Sequence, residues 1–230
     1  MVDEFQAVLT KVNVLSPRVK QFFFELTPRC TFKTGQFFQV LLNKNGKEIK
    51  KSYSIASLPN DKQVEFCINK VKDGFASTFF HNMKEGDKLT FQGAHGTFVP
   101  NYDFKGEYVF VATGTGITPL QAMIKDLLQR GVKQNMYLIF GNRYEEDIIY
   151  RKELEALAKK HKNFHPFFIL SREKDWPLKG YVQDHFENIL KTSENKLVYL
   201  CGVPDMVLAA KKALLAFGCD RTCIKQELYT

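Results

Sequence analysis

Between residues 6 and 92, apolar and polar residues alternate in short runs that are broken repeatedly by turn-forming residues. Side chains of a strand point to opposite faces with a period of two, so these runs predict half-buried strands at 6–14, 19–26, 36–42, 52–56, 63–70 and 88–92. Turns fall at Ser16-Pro17, Thr34-Gly35, Asn43-Lys44-Asn45-Gly46, Pro59-Asn60-Asp61 and Glu85-Gly86-Asp87. The single helical interruption is at 76–83. Short strands at this spacing predict a small antiparallel barrel, closed or partly open.

Beyond residue 105 the pattern changes. Apolar runs become continuous at 108–112, 136–141, 164–170 and 197–201, with a further candidate at 223–228. Helical periodicity fills 117–129, 151–160, 181–190 and 204–216 between them. Uninterrupted apolar strands alternating with helices predict a doubly wound parallel sheet covered on both faces. Pro100 and the unpatterned NYDFK that follows place a linker there. The expected fold class is therefore two-domain, an N-terminal antiparallel β-barrel over 1–100 and a C-terminal α/β doubly wound parallel sheet over 101–230.

In such a sheet the ligand lies across the carboxyl ends of the strands. The first strand ends in Thr113-Gly114-Thr115-Gly116 and a helix follows at once, with Pro119 in its first turn, where a missing N–H is harmless. Free N–H groups and the helix dipole there suit a pyrophosphate. An ordinary βα turn would carry the same two glycines. The third glycine of the dinucleotide fingerprint is absent, and so is the acid expected about 20 residues on, where Arg143 stands instead. The other strand ends carry Gly141-Asn142-Arg143, Ser171-Arg172 and Cys201-Gly202. Ser171 and Arg172, with Lys179 and Tyr181 after them, offer a hydroxyl, cations and a ring to an adenosine 2′-phosphate, although Glu173 and Asp175 weaken the local field.

Two patches of the first half stand out. Lys50-Lys51-Ser52-Tyr53-Ser54 sets Lys51 and Tyr53 on one face, a cation for phosphate and a ring for a flat heterocycle, with Ser54 able to bond its edge. An edge strand guarded by lysines would read the same way. Asp73-Gly74-Phe75-Ala76-Ser77-Thr78 opens the helix and offers either a second anion site or a plain helix cap.

Composition narrows the classes. Hydrophobic residues at 44% and charged residues at 25% suit a globular protein, and no apolar run approaches the roughly 18 residues of a membrane span. An acidic N-terminus does not read as a secretory signal, and five cysteines without paired spacing read as reduced thiols in a cytoplasmic protein. The net charge of +8 is spread over scattered lysines, which argues against a nucleic-acid interface and leaves a solvated surface or an acidic protein partner. No metal-ligand cluster, triad or carboxylate pair is apparent.

In order along the chain stand K-S-Y-S, G-x-x-S-T, G-x-G-x-x-P, F-G-N-R-x-x-x-D-x-x-Y-x-x-E-L and C-G-x-P-x-M. Together they resemble the ferredoxin–NADP⁺ reductase family of flavoproteins over almost the whole chain. The resemblance implies that Lys51, Ser52, Tyr53, Ser54 and Lys70 hold FAD, with Gly74, Ser77 and Thr78 at its pyrophosphate. Where Lys51 stands the family usually has arginine, so bidentate phosphate binding is lost. It also implies NADP, or NAD, held by Thr113, Gly114, Gly116, Pro119 and Arg143, with Ser171, Arg172, Lys179 and Tyr181 at the adenosine end. Cys201 would sit beside the nicotinamide, and Gly202, Asp205 and Met206 would also be cofactor-binding. Ser54, Cys201 and Glu227 would form the catalytic environment, Glu227 relaying a proton and Tyr229 of the QELYT tail covering a flavin face. A small buried residue at a strand end would equally be a cysteine.

The implied activity is hydride transfer between NADPH and bound FAD, with single electrons passed to an acidic ferredoxin or flavodoxin. Alternatives are a free-flavin reductase, a reductase component of an oxygenase, and a non-enzymatic flavin- or nucleotide-binding subunit.

Overall fold

The computed structural model describes residues 4–28 and 30–229. It divides into two compact units, one of residues 1–100 with 121–126, the other of 101–120 with 127–230.

The first unit holds β1 (Glu4–Ser16), β2 (Val19–Thr27), β3 (Phe37–Lys44), β4 (Lys47–Ser54), β5 (Val64–Asn69) and β6 (Lys88–His95), with one helix, α1 (Phe75–Asn82). The strands form an antiparallel sheet in the order β4-β3-β6-β1-β2-β5. Its edges come together just past β4, where the Ala56 N–H donates to the Glu65 carbonyl (2.8 Å). Phenylalanine fills the interior. Phe66 and Phe91 stack at 5.2 Å, and Phe24, Phe38 and Phe80 meet their neighbours edge-on. Each fully buried ring contributes roughly 1.5–3 kcal/mol of hydrophobic stabilisation, which accounts for much of this chain's phenylalanine content. Residues 121–126 add two buried polar ties, Gln121 Nε2 to the Ala56 carbonyl (2.6 Å) and Thr34 Oγ1 to Asp126 Oδ2 (2.9 Å).

Strand β4 differs from expectation. It begins at Lys47, five residues before the expected 52, and ends at Ser54 rather than 56. Its exposed, lysine-rich start has no apolar alternation to mark it. It is a strand because the Asn45-Gly46 turn pairs it residue by residue with β3, from Lys44 opposite Lys47 to Phe37 opposite Ser54.

The second unit holds β7 (Glu107–Thr113), both ends of α2 (Ile117–Gln129), β8 (Met136–Asn142), α3 (Arg151–Lys160), β9 (Phe164–Leu170), α4 (Phe186–Leu190), β10 (Lys196–Gly202), α5 (Pro204–Ala216) and β11 (Ile224–Leu228). All five strands are parallel, in the order β11-β10-β7-β8-β9. The expected helix at 181–190 is a 3-10 turn over Val182–His185 before the short α4. The linker belongs to this unit. The Tyr199 hydroxyl accepts from the Asn101 N–H (2.9 Å), and the Tyr108 hydroxyl donates to the Asn101 carbonyl (2.7 Å).

Candidate functional site

The strand order reverses between β7 and β10, and the crevice at such a switch point is where an open parallel sheet takes its ligand. The turn after β7 and the end of β10 meet there. Gly116 lies so close to Gly202 that a Cβ on it would stand 2.6 Å from the Gly202 Cα, so the second glycine of the turn is a packing requirement. Gly114 has φ +52 and open space around it, which leaves its backbone approachable. Pro119 is buried in the first turn of α2.

Several buried polar atoms along these strand ends lack a partner among the described residues. They are Thr113 Oγ1, Thr118 Oγ1, Asn142 Nδ2, Gln226 Oε1 and Glu227 Oε2. Buried donors and acceptors are ordinarily satisfied, so unpaired polar atoms at the ends of β7 and β8, on β11 and in the first turn of α2 fit a polar ligand such as a nicotinamide dinucleotide. Asn142 already stood out in the sequence at the strand end Gly141-Asn142-Arg143, whereas Thr118 and Gln226 carried no signal of their own.

Cys201 is fully buried and lies in register with Glu227 of β11. Burial, then the Glu227 charge, push its thiol well up, against a lowering bond from Tyr229. Burial alone raises the Glu227 carboxyl to about 7. Tyr229 prolongs the β11 pairing, its N–H donating to the Gly202 carbonyl (2.9 Å). Met206 is buried and Asp205 exposed in the first turn of α5, while Thr230 of the tail lies outside the described residues.

At the other edge, backbone bonds continue past the strands. Ser171 N–H donates to Asn142 and Arg172 N–H to Arg143 (both 3.0 Å). Arg143, Ser171, Arg172 and Lys179 are exposed there, as is Tyr181 at 64%. An adjacent hollow of about 400 Å³ is lined by Glu145, Arg172, Glu173, Lys174, Asp175 and Trp176. Glu173 turns back to accept from the Glu145 N–H (3.3 Å).

In the first unit, Lys51 and Ser52 are exposed on β4, and Ser54 is buried at its end. Tyr53 packs edge-on against Phe80 (4.9 Å), and burial raises its phenol to about 12. Lys70 is exposed just past β5, with its N–H donating to Arg18. Around Gly74 the chain is tightly drawn. Ser77 Oγ accepts from the Val71 N–H and donates to the Gly74 carbonyl (both 3.1 Å), so this hydroxyl shapes the turn. A Cβ on Gly74 would stand 2.7 Å from that oxygen. Thr78 is exposed on the next turn. The result is a glycine cradle at a helix N-terminus, which fits a phosphate.

The oxidoreductase FAD-binding domain model matches residues 6–99, and the oxidoreductase NAD-binding domain model matches 110–212. The chain is 34% identical to ferredoxin–NADP reductase B of Sorangium cellulosum, over 99% of its own length and 98% of that protein's. It belongs to the ferredoxin–NADP⁺ reductase family. Members of this family are NAD(P)H-dependent flavin oxidoreductases, and FAD and a nicotinamide nucleotide are this reductase's cofactors. Identity to the reductase component of phenol 2-monooxygenase from Pseudomonas sp. (strain CF600) is 30%, covering all of this chain and 67% of that protein. In fold, the reductase matches a ferredoxin NADP⁺ reductase from Neisseria gonorrhoeae solved with FAD and NADP, with a TM-score of 0.87, 23% identity and 98% coverage of both chains.

Proposed function

We propose that this reductase oxidises NADPH and passes the electrons singly to a ferredoxin- or flavodoxin-like protein, with residues 1–100 holding FAD and 101–230 the nucleotide. The observation that carries the coenzyme choice is the pairing of Arg143 and Arg172 on adjacent backbone segments, a cationic ledge suited to a 2′-phosphate. Bound flavin supplies the chemistry of taking electrons as a pair and releasing them one at a time.

The chain's own groups do the rest. Lys51 and the Gly74 cradle hold the flavin's phosphates, Tyr53 and Ser54 orient its ring, and Thr113, Gly114 and Asn142 receive the nucleotide. Cys201 offers a neutral, water-excluded wall at the nicotinamide, and Glu227 holds a proton near neutral pH. A net charge of +8 favours an acidic acceptor, because opposite charge speeds encounter. Five free cysteines suit a reducing cytoplasm, and no helix among the described residues is long and apolar enough to cross a membrane. Service to an oxygenase is the second reading, supported by the likeness to the phenol 2-monooxygenase component.

The test is reduction of cytochrome c by NADPH with and without added ferredoxin or flavodoxin. Rates that no acidic carrier increases would remove the proposed acceptor class.

A further inference from the structure

The nucleotide-binding unit holds one cation that the site described above leaves without a role. Arg151 is the first residue of α3, directly after Tyr150, and is half-buried. Its Nε donates to Glu155 Oε1 (2.9 Å) on the next turn of the same helix, and its Nη1 donates to Glu145. The guanidinium lies over the ring of Trp176, 5.2 Å from the centroid. Trp176 is the chain's single tryptophan, and its Nε1–H donates to the Phe168 carbonyl of β9 (2.7 Å). Arg151 thus ties α3 to the two segments that carry the cationic ledge, since Glu145 follows Arg143 and Trp176 follows Arg172. Those segments also meet where Glu173 accepts from the Glu145 N–H (3.3 Å). Glu145 lines the same hollow as Arg172, so without a cation beside it this acid would oppose an anion there.

We propose that Arg151 is a specificity-determining positioning residue for NADPH: it holds Glu145 and Trp176, and through them keeps the Arg143 and Arg172 segments ready for the 2′-phosphate. The inference rests on the NADPH reading above and deepens it. Arg143 and Arg172 are exposed and lie past the ends of their strands, where a loop left free would lose conformational freedom on binding. The neck of the second loop is closed by the backbone, with Leu170 bridged to Lys179 and the Arg172 N–H on the Arg143 carbonyl. Its outer part, Glu173 to Trp176, is tied down by side chains, and Arg151 stacks on the last of these. A second effect acts in the same direction. By pairing with Glu145, Arg151 cancels an acid beside Arg172. The guanidinium has two N–H groups on carboxylates and an indole against its face, so it acts on the coenzyme through these neighbours. Both effects fall on the 2′-phosphate, which NADH lacks.

The experiment measures KM and kcat of the full-length holoenzyme for NADPH and for NADH with ferricyanide as acceptor. Competitive inhibition by adenosine 2′,5′-bisphosphate and by AMP is measured alongside, with melting temperatures. In Arg151→Ala the KM for NADPH and the inhibition constant of the bisphosphate should each rise about 5-fold, the combined scale of an exposed ion pair and a cation–π contact. The NADH and AMP values should be unchanged, and the effect should fall on KM rather than kcat. Trp176→Leu, which takes the ring from under the guanidinium, should shift the same two values in the same direction and keeps the test open if Arg151→Ala fails to fold. Wild-type NADPH and bisphosphate values in both variants overturn the proposal. An equal rise with both coenzymes does so too, as the mark of a residue that merely holds the fold. A wild type that binds the bisphosphate no more tightly than AMP overturns the NADPH reading and this one with it. A wild-type preference for the bisphosphate that survives intact in Arg151→Ala overturns this one alone.

Discussion

Cys201 and Glu227 sit opposite one another in the parallel register of β10 and β11, and the carboxylate charge of Glu227 adds to burial in making the thiol harder to ionise. The thiol is walled from solvent, and the carboxyl, raised to about 7 by burial, has one oxygen with no partner among the described residues. A neutral thiol beside a carboxyl that titrates at working pH is a local arrangement in which only one group changes charge.

The first expectation is a pH profile. Glu227 should hold its proton below about 7 and lose it above, so kcat should decline as pH rises through that value. Stability should move the same way. Between the unfolded carboxyl value of about 4.3 and about 7 the folded chain binds the extra proton, so its stability falls as pH rises across that window and then levels. Glu227→Gln should flatten both curves. A variant that keeps the wild-type inflection would assign it to another group.

Cys201 should resist alkylation. The reactive species is the thiolate, and here burial and the Glu227 charge suppress it. Mass-mapping after mild iodoacetamide at neutral pH should find Cys223, which is partly exposed, modified well before Cys201. Prompt labelling of Cys201 in the native protein would show that the crevice opens.

Coenzyme preference should depend on Arg172. Arg172→Ala should lose about 1.5–3 kcal/mol in kcat/KM with NADPH, the worth of a hydrogen bond to a charged group, while NADH is barely affected. Equal losses with both coenzymes would leave Arg172 no part in the choice.

The foot of the parallel sheet carries a charge pair between a buried lysine and a partly exposed glutamate. Lys196, 4% exposed, donates to Glu107 Oε2 at 2.5 Å, and Glu107 Oε1 accepts from Asn135 and Tyr137. Glu107→Ala should destabilise the protein by about 3 kcal/mol, because it strands a buried ammonium. Burial works to raise the Glu107 carboxyl, but the bonds from Lys196, Asn135 and Tyr137 outweigh it and the net pKa is lowered. The pair's contribution is therefore complete above the ordinary carboxylate range and is lost as pH falls through the depressed value. Urea midpoints at pH 7 and pH 3 should differ less in the variant than in wild type.

The two-part organisation was legible in the order of residues alone. A period of two with turn residues every few positions makes half-buried antiparallel strands, and continuous apolar runs such as Tyr108–Ala112 make strands buried on both faces. The glycine turn after Thr113 could be read too, because a tight turn into a helix is a local event. Strand β4 could not be read in full, since Lys47 to Lys51 are strand through their partners on β3 rather than through their own pattern. The site was decided further away still. Nothing local tells Gly116 that its neighbour is Gly202, or Cys201 that it faces Glu227. Those meetings follow from the order β11-β10-β7-β8-β9, which buries the central strands β10, β7 and β8 and leaves β11 and β9 at the edges. The sequence determined what each segment is, through periodicity and turn chemistry. Only long-range packing decided which strand ends share a crevice, and so which buried polar atoms are left for a ligand.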